Sequence, residues 1–416
     1  MFTMPKVIIA SFAYIVGVFV LCAGLETSPT CSNIEGPTPG EFIIQRGIVP
    51  DNDSATTVSF RGCRISDIQP RAFHGLPSLQ YIDLSRNSIK NLKLGILNDV
   101  TRLTHLNLSY NFISDLEESL FNQSSRLEVL DLRWNKIEVM KVGVFSPLKR
   151  LKYLDLSDNE IVGARLSPAM FDSCKALSTI NFSRNDMSGA PPNLLRAVEV
   201  LDTLKLDGCF LKQVPEFATR SNTGTMKKLL LSSNQVSTVK LTTFISLTNL
   251  EELDLSSNVI SELHEDVFKP LKNLKIIILR SNRLEKIPDK LFYNMLRLRK
   301  VDLSFNSLML IPVNAFRFTT VEMLNISHNK FTYLVDNFCL ELRNSGVKLK
   351  KFYFNSNPWQ CPCLRDLLKE MKTYKISYNN AKYDGKNAVC ISGDIINTCL
   401  RQPDVNEHFN DLYYSD

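Results

Sequence analysis

The stretch Leu250-Glu-Glu-Leu253-Asp-Leu255-Ser-Ser-Asn258-Val-Ile260-Ser-Glu-Leu263-His-Glu-Asp-Val-Phe268-Lys-Pro-Leu271 decides the fold, because its pattern recurs along most of the chain. Aligning on the polar residue brings Cys63, Asn87, Asn111, Asn135, Asn159, Asn185, Cys209, Asn234, Asn258, Asn282, Asn306, Asn329 and Asn357 into register. Successive members lie about 24 residues apart. The intervals after Asn159 and Cys209 are longer, and Pro191-Pro192 falls in the next unit. Such extra residues belong on the convex side, as loops.

Each residue class has a physical task. Leu253 and Leu255 are two apart, so in a short strand both point inward while Glu252, Asp254 and Ser256 point out. Asn258 can donate and accept together, which suits it to backbone groups left unpaired where the chain leaves the strand. Cys is the tolerated substitute. Ile260, Leu263, Phe268 and Leu271 fill the core from the convex side, and Phe73, Phe121, Phe145, Phe171, Phe244, Phe292 and Phe316 stand where Phe268 stands. L-x-x-L-x-L-x-x-[N/C]-x-L at this period is the signature of leucine-rich repeats. The expected architecture is an α/β solenoid: a horseshoe with a parallel concave sheet and terminal caps. A solenoid grows by addition, so 416 residues form one structural unit rather than several domains.

Before the repeats, Lys6 precedes an apolar run from Val7 to Cys22, with Cys22 and Gly24 suited to cleavage. Residues 1–24 read as a secretory signal peptide, the alternative being an uncleaved anchor. Residues 25–54 read as the N-terminal cap and residues 55–354 as the repeats. Cys31 is expected to pair with Cys63, whose ladder position faces the inside of the first coil; the alternative is a free buried thiol. Cys174, Cys209 and Cys339 occupy positions of Leu, Asn and Phe in other units and are expected as buried thiols. An intermolecular disulfide is the alternative for the odd one.

After the last ladder Asn, Asn357-Pro-Trp359-Gln-Cys361-Pro-Cys363 leads into Leu364 to Met371, whose apolar spacing suits a helix; Cys390 and Cys399 follow. This segment, 355–400, resembles the cysteine-containing C-terminal cap of extracellular leucine-rich repeat proteins, including Toll-like receptor ectodomains. The resemblance implies pairing of Cys361 with Cys390 and of Cys363 with Cys399. Residues 401–416 read as a polar tail. The resemblance also implies a secreted, extracellular recognition protein: a soluble receptor or decoy in innate immunity that takes an extracellular protein or microbial ligand. A different class is an adhesion or matrix protein.

Composition, with 44% hydrophobic and 22% charged residues, agrees with a folded core, and a net charge of +6 is too mild to imply nucleic acid. His74, His105, His264, His328 and His408 are scattered over different units, and no catalytic, cofactor or metal motif is present, so a non-enzymatic binder is expected. Ligand contacts are placed on the N-terminal half of the concave face. Tyr81, His105, Arg133 and Tyr153 take outward positions in successive units, and Tyr110 and Trp134 immediately precede their ladder Asn. Asp83, Asp131 and Asp155 run through the same region, and Leu230, Ile276 and Ile278 form a rival apolar patch. Sequons at Asn52, Asn107, Asn122, Asn181 and Asn325 are glycan candidates, three of them on the concave side. From Arg343 to Lys386 basic residues exceed acidic ones, a pattern that could attract an anionic glycan. Ligand identity and oligomeric state are not legible.

Overall fold

A computed structural model describes Cys31 and residues 42–220, 223–379, 389–392 and 398–414. The expected signal peptide and most of the N-terminal cap lie outside the described residues.

The chain order is β1 (Phe42–Ile44), β2 (Thr57–Ser59), β3 (Ile65–Ile68), β4 (Tyr81–Asp83), β5 (His105–Asn107), β6 (Asp115–Leu116), β7 (Val129–Asp131), β8 (Val139–Met140) and β9 (Tyr153–Asp155). It continues with β10 (Thr179–Asn181), β11 (Thr203–Lys205), β12 (Lys228–Leu230), β13 (Glu252–Asp254), β14 (Ile276–Ile278), β15 (Lys300–Asp302), β16 (Met323–Asn325) and β17 (Lys351–Tyr353). Helices α1 (Phe338–Asn344), α2 (Cys361–Thr373) and α3 (Pro403–Tyr414) lie in the C-terminal part.

One 13-stranded parallel sheet runs in the order β17-β16-β15-β14-β13-β12-β11-β10-β9-β7-β5-β4-β2, the solenoid that the repeat predicts. Register is constant from strand to strand: Leu253 faces Leu229 on one side and Ile277 on the other. Both inward leucines of the quoted unit, Leu253 and Leu255, are fully buried. The short pairs β1-β3 and β6-β8 flank the main sheet. The extra residues after Asn159 include a 3-10 turn at Gly163–Arg165, and those after Cys209 include one at Glu216–Ala218.

The ladder asparagines bind two turns together. Asn258 Nδ2 donates to the carbonyl of Leu255 in its own turn (3.0 Å) and of Leu231 in the preceding one (2.9 Å), while its Oδ1 accepts the Val236 amide (2.9 Å). Each such buried bridge satisfies backbone groups that would otherwise be orphaned at a cost of about 1–3 kcal/mol apiece. Cys209 keeps a reduced version: its Sγ lies 3.3 Å from the Phe182 carbonyl. Opposite the sheet the phenylalanines form a buried column, with ring centroids 6.2 Å apart for Phe268 and Phe292 and 5.5 Å for Phe292 and Phe316.

Three disulfides join Cys31 to Cys63, Cys361 to Cys390 and Cys363 to Cys399, the pairings expected. Cys174, Cys209 and Cys339 are buried free thiols. Burial pushes the first two up to about 12, so they remain protonated. The place assigned to Cys339 shifts by one residue: Phe338 supplies the ring that stacks on Phe352 (5.7 Å), because this turn ends in helix α1. The 401–416 segment, read as a polar tail, carries α3. Its Asn406, Phe409 and Asn410 are buried, Asn406 meets the Thr332 hydroxyl, and Arg401 pairs with Asp336 at 3.1 Å. The apolar Phe409 and the two asparagines give this short helix one face that packs onto the final turn.

Candidate binding surface

Three rows of side chains run across the N-terminal half of the sheet. The first outward row carries Tyr81, His105 and Tyr153; all three are half-buried, and the Tyr81 and His105 rings lie 6.1 Å apart. His105 Nδ1 sits 2.8 Å from the Thr104 hydroxyl, and burial lowers its pKa, so the ring is neutral near pH 7.

The next row carries Asp83, Asn107, Asp131, Asp155 and Asn181. These side chains fold back on their own turn. Asp155 Oδ1 accepts the Ser157 amide (2.9 Å) and hydroxyl (2.6 Å), and Asn107 Oδ1 does the same with Ser109 (3.0 and 2.7 Å). Asn181 and Asn325 cap Ser183 and Ser327 likewise. Three of the sequons are therefore Asn versions of an Asp-x-Ser strand end, a local turn that such side chains favour. Asn181 is buried and its Nδ2 donates to Asp155 at 3.1 Å. Asn52 caps Ser54 (3.0 Å), and Asn122 stands exposed in a turn away from the sheet.

Asp131 is the most perturbed acid of this row. Burial pushes its pKa to about 6, Arg133 opposes the shift, and Asp155 and Asp83 reinforce it. Arg133 Nε lies 3.3 Å from Asp131 but is not aligned for a hydrogen bond, so the contact is ionic. The Tyr153 hydroxyl donates to Asp155 (3.0 Å), and burial together with that carboxylate holds the phenol well above its usual range. Tyr153 is thus engaged within the sheet.

The third row is the rim. In each of these turns the residue before the ladder Asn is left-handed, with φ of 57° at Tyr110, 54° at Trp134, 56° at Ser233 and 52° at Ser257. The fold imposes this conformation: the Tyr110 and Trp134 amides must reach the carbonyls of Arg133 and Ser157 in the next turn (both 2.9 Å). Their side chains are left outside, 37% and 50% exposed, and their rings stack at 5.6 Å with only 7° between planes. Arg133 lies 5.9 Å from the Tyr110 ring centre. The residue that the sequence reading missed is Arg86, exposed and 4.9 Å from the same ring. It holds the rim position one turn before Tyr110, so following that row backward would have found it.

The rival patch is broken by charge. Leu230 and Ile278 are separated by Asp254, Ile276 lies between Glu252 and Lys300, and all three aliphatics are half-buried. The basic excess at the C-terminal end is partly neutralised: Lys350 pairs with Glu322 at 2.9 Å and Lys369 lies 3.9 Å from Asp366. Lys382 and Lys386 lie outside the described residues.

A parallel sheet of buried turns with an exposed, ridged rim defines a solenoid binding scaffold. The sequence matches the family described as Leucine rich repeat over residues 54–113, 101–161, 225–284 and 272–331, and the chain belongs to that family. No curated protein matches it. Among solved structures, a leucine-rich repeat protein of Leptospira interrogans superposes with a TM-score of 0.64 at 21% identity, covering 81% of this chain and 92% of that one. Toll in the Drosophila Toll–Spätzle complex gives 0.63 at 19% identity, covering 88% and 49%. Toll-like receptor 13 in complex with the RNA ssRNA13 gives 0.57 at 19% identity, covering 86% and 59%. The chain thus spans most of the bacterial protein but only about half of Toll. At these identities the likeness is one of fold.

Proposed function

We propose that this is a secreted, non-enzymatic binding protein that recognises an extracellular protein or microbial ligand through the N-terminal part of its rim and concave face. The observation that carries the reading is the exposed stack Arg86–Tyr110–Trp134. The same position is filled by Ser233 and Ser257 further along, so the fold does not require aromatic rings there. Trp, Tyr and Arg dominate measured binding hot spots. Three disulfides support an extracellular location, because such bonds persist in oxidising compartments. Among the described residues no helix is long and apolar enough to cross a membrane. Toll is bound to Spätzle in the complex described as a hub of development and innate immunity, and the shared fold supports a protein ligand and a recognition role of the same general kind. Of the glycan candidates Asn52, Asn107, Asn122, Asn181 and Asn325, exposure favours Asn122, whereas the Asn181 amide nitrogen is engaged with Asp155. A sugar on Asn107 would stand on the concave face and direct a partner toward the rim.

Affinity capture from extracellular fluid with the purified chain identifies the ligand. The variant Tyr110→Ala with Trp134→Ala is expected to weaken that ligand by at least about 2 kcal/mol. Unchanged affinity in the double variant, with a loss in Ile276→Ser and Ile278→Ser, would move the site to the aliphatic patch. Capture of matrix or cell-surface components in place of a soluble ligand would favour the adhesion class.

A further inference from the structure

The rim builds its aromatic and cationic cluster twice. Near the other end of the sheet Phe305 and His328, again the residues before their ladder asparagines, are left-handed (φ 56° and 55°) and exposed. Their rings stack at 3.9 Å, and Arg280 lies over Phe305 at 4.3 Å. The composition repeats that of Arg86, Tyr110 and Trp134, a guanidinium over the first ring and a second ring stacked on it, with Arg280 standing one residue before the rim position of its turn. Between the clusters the rim positions carry Asp158, Arg184, Gly208, Ser233 and Ser257.

Other arginines on and beside this rim are already matched to carboxylates. Arg184 is bound to Asp158, Arg61 lies 4.0 Å from Asp83 and Arg133 lies 3.3 Å from Asp131. Arg86 and Arg280 have no carboxylate partner among the described residues; each rests on a ring. A guanidinium held over a ring keeps its in-plane donors for a carboxylate, and the ring limits the entropy lost when one binds.

We propose that the two clusters are paired contact points for one acidic protein partner, which places a carboxylate on Arg86 and another on Arg280 while its apolar groups cover the rings. This rests on the reading of the N-terminal rim as a binding site and extends it to the C-terminal turns. From β4, whose turn carries Arg86, to β14, whose turn carries Arg280, the sheet crosses eight strand spacings, which at about 4.8 Å each separates the two guanidinium contacts by roughly 38 Å. That is within the width of a small folded domain. A flexible polyanionic chain fits less well, since the intervening rim offers only the already paired Arg184 as a cation.

The test uses a short peptide of alternating Glu and Tyr, made singly and as two copies joined by Gly/Ser linkers. A linker of about 40 residues has a root-mean-square length that matches the span, whereas one of about 6 residues cannot reach. Two single peptides are expected to bind per wild-type chain, one of them reported by Trp134 fluorescence. The long-linker probe should bind at least about tenfold tighter than the short-linker one. Arg280→Ala with Phe305→Ala should abolish that gain and leave one peptide per chain, with an unchanged melting temperature because both side chains are exposed. If single-peptide binding is lost in Arg86→Ala with Tyr110→Ala but the long linker brings no gain on wild type, the second contact is overturned and the first stands. Single-peptide binding indifferent to Arg86 and Tyr110 overturns both. A heparin oligosaccharide that displaces the probe and itself depends on Arg280 would assign the rim to an anionic glycan and overturn the protein partner.

Discussion

Two sectors of one sheet, residues 81–155 and residues 228–281, are built on the same backbone plan. In the first, Asn135 bridges to the Leu132 and Leu108 carbonyls and accepts the Ile113 amide; in the second, Asn258 makes the matching set with Leu255, Leu231 and Val236. Phe145 and Phe268 are both fully buried in the column opposite. The surfaces diverge. The first sector sets Arg86, Tyr110 and Trp134 on its rim and three carboxylates on its concave face, whereas the second sets serines on its rim, pairs Lys228 with Glu252 at 3.1 Å and turns Arg280 toward Phe305 in the next turn. A repeat fold therefore holds its stability in residues that recur, and leaves the strand exteriors and rim free to carry a ligand.

If that division is right, core substitutions should cost the same in both sectors. Phe145→Ala and Phe268→Ala should each destabilise by about 3–5 kcal/mol in chemical denaturation, since both vacate a position in a packed column. A difference well beyond about 1 kcal/mol between them would break the equivalence. Asn135→Ala and Asn258→Ala should follow at about 1–3 kcal/mol each, the cost of leaving buried backbone groups unpaired. A much cheaper loss in one sector would show that its turns are held by other contacts.

Asp131 sharpens the contrast through pH. Its folded-state pKa of about 6 lies above the ordinary 3.8, so between those values the folded chain holds a proton that the unfolded chain has lost. Stability from this group is present at low pH and falls as pH rises through that window. Asp131→Asn keeps an acceptor for the Arg133 amide and removes the titration. It should gain roughly 2 kcal/mol on the wild type as pH rises from about 4 to about 6. A stability difference that is flat with pH would show that Arg133 neutralises the carboxylate fully. The smallest effect is expected where binding is expected most: Tyr110→Ala with Trp134→Ala should change stability by no more than about 0.5 kcal/mol, as little as Ser233→Ala with Ser257→Ala. A larger loss in the aromatic pair would mean that the stack serves the fold.

The repeat, its ladder and its phenylalanine column were legible because each is a short-range rule applied many times: a residue meets its counterpart one turn away, and the spacing states which one. Cys31 and Cys63 were legible as a pair for a related reason, since one caps the open end where the other begins the ladder. Resemblance, not spacing, supplied the order of the other two disulfides. The sequence alone also set the residue types on the rim, where Tyr110 and Trp134 interrupt what serine would satisfy. Only the tertiary structure decided how those residues are used. It tied the Tyr153 hydroxyl to Asp155, made Asn107, Asn181 and Asn325 the caps of their own turns, and laid Arg86 on Tyr110 and Arg280 on Phe305. It also folded the expected tail into α3, whose Asn410 reaches the Lys330 carbonyl at a separation of 80 residues. The reason is the same in each case. A left-handed rim residue or a docked helix takes its partner from whatever the stacked turns bring alongside, and that neighbourhood exists only once the solenoid has closed on itself turn by turn.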